Sequence, residues 1–187
     1  MVKYFLKKLL ISFSFLLFSF FAISQNYKPV DAGSKVHFVI KNFGISTGGD
    51  LHGLSGNINL VPSNISASSF DVAVNVNTID TDNENRDTHL KSPEYFNAEK
   101  YPLITLKSTK INKTNKSNTG LYQFTGTLTI HGISKSIVFL FTAMPNGTDY
   151  LFAGNFTINR LDFGVGKNSS VLSNTVKVSL SVLAKKS

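Results

Sequence analysis

The sequence predicts an all-β fold: an eight-stranded antiparallel barrel with a short helical insertion between strands 3 and 4. Three observations predict it. Apolar residues recur at every second position in successive short runs from Val36 nearly to the C-terminus, the pattern of strands with one buried face. Gly, Asn, Ser and Pro gather between the runs as turn residues. A helical pattern occurs once, over Thr81–Ser92.

The runs follow one another in order. Val36, Phe38 and Ile40 oppose Lys35, His37 and Lys41. Leu54, Gly56, Ile58 and Leu60 form the second run. Phe70, Val72, Val74 and Val76 oppose Asp71, Ala73, Asn75 and Asn77, the cleanest alternation in the chain. Ile104 and Leu106 oppose Thr105 and Lys107. Tyr122, Phe124, Gly126, Leu128 and Ile130 oppose Gln123 and three threonines. Ser136 to Met144 is apolar on both parities, so its facing is open. Tyr150, Phe152, Gly154, Phe156 and Ile158 precede the last run, Val176, Val178, Leu180 and Val182. Lys113–Gly120 and Pro145–Asp149 read as hairpin loops.

In the helical segment Thr81 and Glu84 have capping-box spacing, and Pro93 blocks continuation. The segment is placed over one end of the barrel. Closure of the sheet removes exposed edges; a two-sheet sandwich fits the same periodicity.

Eight strands enclose an interior that side chains can fill or that one small ligand can occupy. Gly56, Gly126 and Gly154 lie on the apolar parity. They mark either curvature or room for a ligand. The inward face carries no charge on this assignment, so a ligand matching it is a hydrocarbon chain. The lining residues for such a tail are Phe38, Ile40, Ile58, Phe70, Val72, Val74, Phe124, Leu128, Phe152, Phe156, Val178 and Leu180. The alternative is that these side chains pack on one another as a filled core.

The 187 residues carry a net charge of +8, no Cys and no Trp. Absence of Cys excludes disulfides, thiolate nucleophiles and thiolate metal sites. Residues 1–24 read as an export signal. Lys3, Lys7 and Lys8 precede an apolar run from Leu9 to Ile23, with Ala22 and Ser24 set for cleavage before Gln25. Residues 25–187 are then the barrel domain, with a periplasmic or secreted location. Loss of three lysines lowers the charge from +8 to +5. That balance suits peripheral contact with an anionic membrane surface. No aromatic–basic interleaving points to nucleic acid.

No nucleophile elbow, phosphate loop or dinucleotide fingerprint is present, so a binding protein is expected rather than an enzyme. His37, His52, His89 and His131 form no metal-ligand spacing, and no cofactor is expected.

Several motifs in order carry a family resemblance. They are Thr78-Ile79-Asp80-Thr81 with Arg86-Asp87-Thr88-His89-Leu90, Tyr95-Phe96-Asn97, and Tyr101-Pro102-Leu103-Ile104-Thr105. Gly126 to Lys135 and Arg160-Leu161-Asp162-Phe163-Gly164-Val165-Gly166 complete the set. The chain resembles the YceI-like family over nearly all of Asn26–Lys186. Asn42 stands where many members carry His, and Thr47-Gly48-Gly49-Asp50 is richer in glycine than is usual there.

The resemblance implies a lipocalin-like barrel that binds a long-chain amphiphile: a polyisoprenoid, an isoprenoid quinone or a fatty amide. A lipid-modifying enzyme and a barrel without ligand are the alternatives. A second copy of the chain is a further expected partner. Arg86, His89, Arg160 and Phe163 are the candidates for holding a head group. Arg86 has a structural alternative, an ion pair with Asp87 or Asp162 that pins the helix. Gly164 and Gly166 are read as turn residues.

Overall fold

The computed structural model describes residues 25–116 and 120–187; the export segment read over residues 1–24 lies outside them. The strands are β1 Gln25–Pro29, β2 Lys35–Asn42, β3 Ile45–Leu60, β4 Ser69–Asp80, β5 Leu103–Lys113, β6 Leu121–Ile130, β7 Ile133–Asn146, β8 Asp149–Asn159 and β9 Leu172–Lys186. One α-helix, α1 Glu84–Lys91, lies between β4 and β5. Short 3₁₀ turns cover Pro62–Ala67 and Arg160–Phe163.

All pairings are antiparallel, and β3 pairs with β4 to close the sheet into a barrel. Both β1 and β2 lie between β3 and β9. They are successive halves of one barrel position, so the nine strands occupy eight positions. Side chains patch the break between them. The Asp31 carboxylate accepts from the Gly53 and Leu54 N–H groups of β3 at 3.0 and 2.9 Å. On the other side Ser34 Oγ accepts from Leu183 N–H of β9 at 2.8 Å. Ladder donors that the break would orphan are thus satisfied.

The predicted alternation holds, and the ambiguous run resolves. In β7 Phe139, Phe141 and Ala143 face inward and are buried, while Val138, Leu140 and Met144 face solvent. The predicted loops are shorter than expected, because β5 reaches Lys113 and β7 reaches Asn146. The β7–β8 turn closes through Gly147 at φ 65°.

The helix also differs from expectation. It starts at Glu84, and its N-cap is Asn83, whose side chain accepts from Arg86 N–H at 2.9 Å. Thr81 is not the cap; its N–H and hydroxyl both donate to Asp87 Oδ1. A carboxylate one turn into the helix outcompetes Glu84 for Thr81.

The two ends differ. One carries the β1 and β9 ends, the Pro62–Ala67 turn and the β7–β8 turn. There Tyr27, Ile58, Ile65, Phe70, Ile111, Phe124, Phe141 and Phe152 form one buried cluster. Phe70 meets Phe124, Phe141 and Phe152 edge-on, with ring centroids 6.1, 5.4 and 5.4 Å apart. This aromatic plug closes the barrel. The other end carries the β2–β3 hairpin, α1, the β6–β7 turn and the β8–β9 connection.

Candidate functional site

Above the aromatic floor the barrel is hollow. A cavity of about 400 Å³ runs toward the end that carries α1, a size within the range of small-molecule sites. Residues lining it near the floor, Ile58, Phe124 and Phe152, are buried, whereas Asn42 and His89 at the opposite end are exposed. The latter end is therefore the mouth.

The wall is built mainly by the inward parity of β2, β8 and β9. Phe38 and Ile40 of β2 stand opposite Val178 and Val176 of β9. Val178 and Val176 in turn pair with Phe156 and Ile158 of β8. All of these are only half-buried. They face open space rather than a neighbouring side chain. Leu180 continues the wall, and Val72, Val74 and Leu128 line the far side from β4 and β6.

Every residue predicted to line the interior thus borders the cavity, but two sets emerge. Phe38, Ile40, Val72, Val178, Leu180 and Phe156 keep free surface. Phe70, Phe124, Phe152 and Ile58 chiefly pack on one another as the floor, while Val74 and Leu128 are buried in separate clusters nearer the mouth.

The inward glycines do not create the space. A Cβ on Gly56, at φ 104°, would lie 2.2 Å from the Asp71 carbonyl oxygen, beside a β3–β4 register shift. On Gly126 it would meet the Lys107 carbonyl oxygen at 2.2 Å and the Phe124 ring at 2.6 Å, where β5 and β6 shift register. Both positions serve close strand approach and bending. Gly154 lines the cavity, yet the Phe139 ring lies 3.2 Å from its Cβ position. The hollow comes instead from the β2, β8 and β9 side chains being too short to span it.

The mouth holds the predicted polar candidates. Arg86 donates through Nε to Thr81 Oγ1 at 2.7 Å and through Nη2 to the Thr81 carbonyl. No ion pair with Asp87 or Asp162 forms, because Asp87 is engaged by Thr81. The helix is pinned through Thr81, a buried residue at the end of β4, rather than through charge. Arg86 Nη1 has no partner among the described residues, and the side chain borders the cavity. His89 is exposed at the rim, its ring tilted against Tyr95 at 4.8 Å.

Arg160 is 3% exposed. Its Nε donates to the Ser173 carbonyl at 3.0 Å, Nη1 to Val165 O at 2.8 Å, and Nη2 to Lys167 O at 2.7 Å and Asn174 Oδ1 at 3.1 Å. No carboxylate among the described residues pairs with it. Burial therefore pulls its guanidinium pKa below the ordinary arginine value. The side chain staples the β8–β9 connection, and Gly164 and Gly166 turn that connection at φ 66° and 68°. Phe163 is buried against Leu128, Ile130 and Val165 and borders the cavity.

Two features escaped sequence reasoning. Tyr27, in a five-residue strand, is 1% exposed and anchors the floor against Tyr150 at 5.2 Å. Gly49 gives the Phe38 ring and the Thr81 methyl their places at the mouth. The run Thr47-Gly48-Gly49 was the available signal for the second. Elsewhere, His37 Nδ1 lies 2.6 Å from Asp50 Oδ1 on the outer wall. Among the described residues no three His, Asp or Glu side chains gather as a metal site.

A YceI-like domain model matches residues 27–184. The chain belongs to the YceI-like family. Similar YceI-like relatives are the UPF0312 proteins of Pseudomonas paraeruginosa, 30% identical over 86% of this chain and 87% of that protein, and of Yersinia enterocolitica, 29% identical over 86% of each. Among solved structures, Burkholderia cenocepacia BcnA matches with a TM-score of 0.76 and 25% identity, over 82% of this chain and 98% of that one. A polyisoprenoid-binding domain from Saccharophagus degradans matches with a TM-score of 0.69 over 88% and 100%. At 16% identity the latter shows the shared YceI-like fold alone.

Proposed function

We propose that the protein is an extracytoplasmic carrier that holds the hydrocarbon chain of a long amphiphile, of the polyisoprenoid, isoprenoid quinone or fatty amide class, inside the barrel. The observation that carries this reading is the wall of β2, β8 and β9. Its side chains are apolar, inward-facing and only half-buried, so they present hydrophobic surface to the cavity. Each CH₂ moved from water onto such a wall is worth about 0.8 kcal/mol. The description of the S. degradans domain as polyisoprenoid-binding supports the class of ligand.

The tail runs down to the Phe70–Phe124–Phe152 floor, and the head stays at the mouth beside Arg86 and His89. Free Nη1 donors on Arg86 suit a phosphate or carbonyl oxygen. Arg160, with four donors already engaged, is a staple for the mouth loops rather than a head-group ligand. The polar groups at the mouth bind and orient; the reading is of a carrier and not a catalyst. The basic start and apolar run of residues 1–24 support a location outside the cytoplasm.

Native mass spectrometry on gently purified protein tests the reading. A bound species heavier than the chain, released by organic extraction and identified as a long-chain lipid, is expected. Protein that emerges empty, and takes up no such lipid from detergent micelles after delipidation, overturns it.

A further inference from the structure

We propose that the β2–β3 hairpin tip is a membrane-docking element that seats the barrel mouth on an anionic lipid bilayer. The proposal rests on the cavity being a hydrocarbon site.

Phe43 and Ile45 are 74% and 71% exposed, more than any other large hydrophobic residue among those described. They flank Gly44, around whose Cβ position no atom lies within 4 Å, so the tip stands clear of the fold. Phe43 adopts φ 50° and Gly44 φ 77°. Two central residues with positive φ make a tight hairpin turn that favours Asn-Gly. A bulky aromatic is disfavoured in that region. The chain therefore holds at this point a residue that opposes its own backbone geometry and gains no buried contact in return. Such local conflict is characteristic of positions that serve an external partner.

A second segment extends the patch. The Val171 carbonyl accepts from Phe43 N–H at 2.9 Å, and Val171 is itself 38% exposed. The next residue, Leu172, lines the cavity, as do Asn42 and Thr47 on the hairpin. Apolar surface thus reaches the rim from the tip through Val171 and Leu172, with Asn42 and Thr47 as polar neighbours. A ligand with a long hydrocarbon chain has its reservoir in a bilayer, and Val171 and Leu172 lead from the tip to the cavity on this side of the mouth.

Charge selects the kind of bilayer. Lys41, Lys167 and Lys177 lie on this side of the barrel, whereas Lys35, at the far end of β2, is paired with Asp50 at 3.6 Å. Lys41 adjoins the tip, and Lys167 is held only loosely, 3.9 Å from Glu94. Glu84, Asp87 and Glu94 lie on α1 and the segment after it, while Asp50, Asp80 and Asp82 gather on the outer wall beside Ser46 and Gly48. The tip itself is apolar and the charge that adjoins it is Lys41, a pairing that suits an anionic lipid surface.

Flotation with lipid vesicles tests the proposal. Protein purified after export is mixed with phosphatidylcholine vesicles with or without phosphatidylglycerol. The test variant is Phe43→Asn with Ile45→Ser. Asn suits the positive φ, so the variant retains its thermal stability. Wild-type protein is expected to float with the phosphatidylglycerol vesicles, and the variant to float at least tenfold less. Equal flotation of variant and wild type, or no flotation of wild type, overturns the proposal. Loading from detergent micelles reads the cavity separately. If wild type loads from neither micelles nor vesicles, the cavity reading fails while flotation still decides the docking role.

Discussion

The Phe38 ring lies where a side chain on Gly49 would have to be. A Cβ on Gly49 would fall 2.6 Å from Phe38 Cζ, 2.7 Å from the Thr81 methyl and 2.8 Å from the Asp80 carbonyl oxygen. The missing side chain therefore sets both the wall at Phe38 and the Thr81 anchor that holds α1.

Gly49→Ala is expected to destabilise the fold by about 1–3 kcal/mol, the usual cost of overpacking. The Phe38 ring can swing into the cavity, but the Asp80 carbonyl is backbone and cannot yield locally. Urea unfolding should show a lower midpoint with an unchanged slope. An unaltered midpoint would mean that β3 and β4 shift apart freely here.

Arg160 makes the sharper case for a structural role. Replacement by Met leaves the Ser173, Val165 and Lys167 carbonyls without their donor, the Val165 one buried and the other two partly buried. Unpaired buried acceptors cost about 1–3 kcal/mol each. Arg160→Lys retains the charge but not the planar fork that reaches several acceptors at once. Both variants are expected to lower the melting temperature, Met more than Lys. A head-group role alone would leave the ligand-free protein's melting temperature unmoved.

Much of this was legible in the sequence, and the remainder has identifiable causes. Period-2 alternation marks β4, β6, β8 and β9 because each has one apolar and one polar face. It is silent for β7, where Val138 and Leu140 are apolar yet exposed. It misses β1, because five residues with only Tyr27 and Pro29 buried are too short a run to establish a period. Pairing of β1 and β2 with β9 brings the two ends of the chain together, a long-range contact that no local pattern encodes. The partners of Arg86 escaped for another reason: opposite charges suggest pairs, and here Thr81 takes both the guanidinium and the Asp87 carboxylate.

Tyr27 predicts an alkaline limit to stability. Its hydroxyl donates to Gln25 Oε1 at 2.5 Å. Burial first, then Tyr150 and Asp149, raise its pKa above the ordinary 10.0. A folded-state value above the unfolded one gives stability that is fully present below pH 10.0 and is lost as pH climbs through the raised value. The unfolding midpoint should therefore fall above that pH. Tyr27→Phe keeps the ring against Tyr150 and removes the ionisation, so its midpoint should fall less steeply there. At neutral pH the variant is expected to lose about 1 kcal/mol with the hydrogen bond.

Val178 and Phe124 separate wall from floor. Phe124 is 2% exposed and touches the Phe70 and Phe139 rings at centroid distances of 6.1 and 4.9 Å. Phe124→Ala should cost about 3–5 kcal/mol, as for other buried phenylalanines. Val178 faces the hollow and is already half-buried, so Val178→Ala should cost under about 1.5 kcal/mol, because little packing is lost. Val178→Trp places a ring in the space between Phe38 and Phe156 with no neighbour to displace. It should leave the melting temperature of the delipidated protein near or above the wild-type value. Uptake of a long-chain lipid, followed by native mass spectrometry, should fall at least tenfold. If Val178→Trp instead unfolds the protein as Phe124→Ala does, the interior at β9 is packed solid and the hollow wall does not exist.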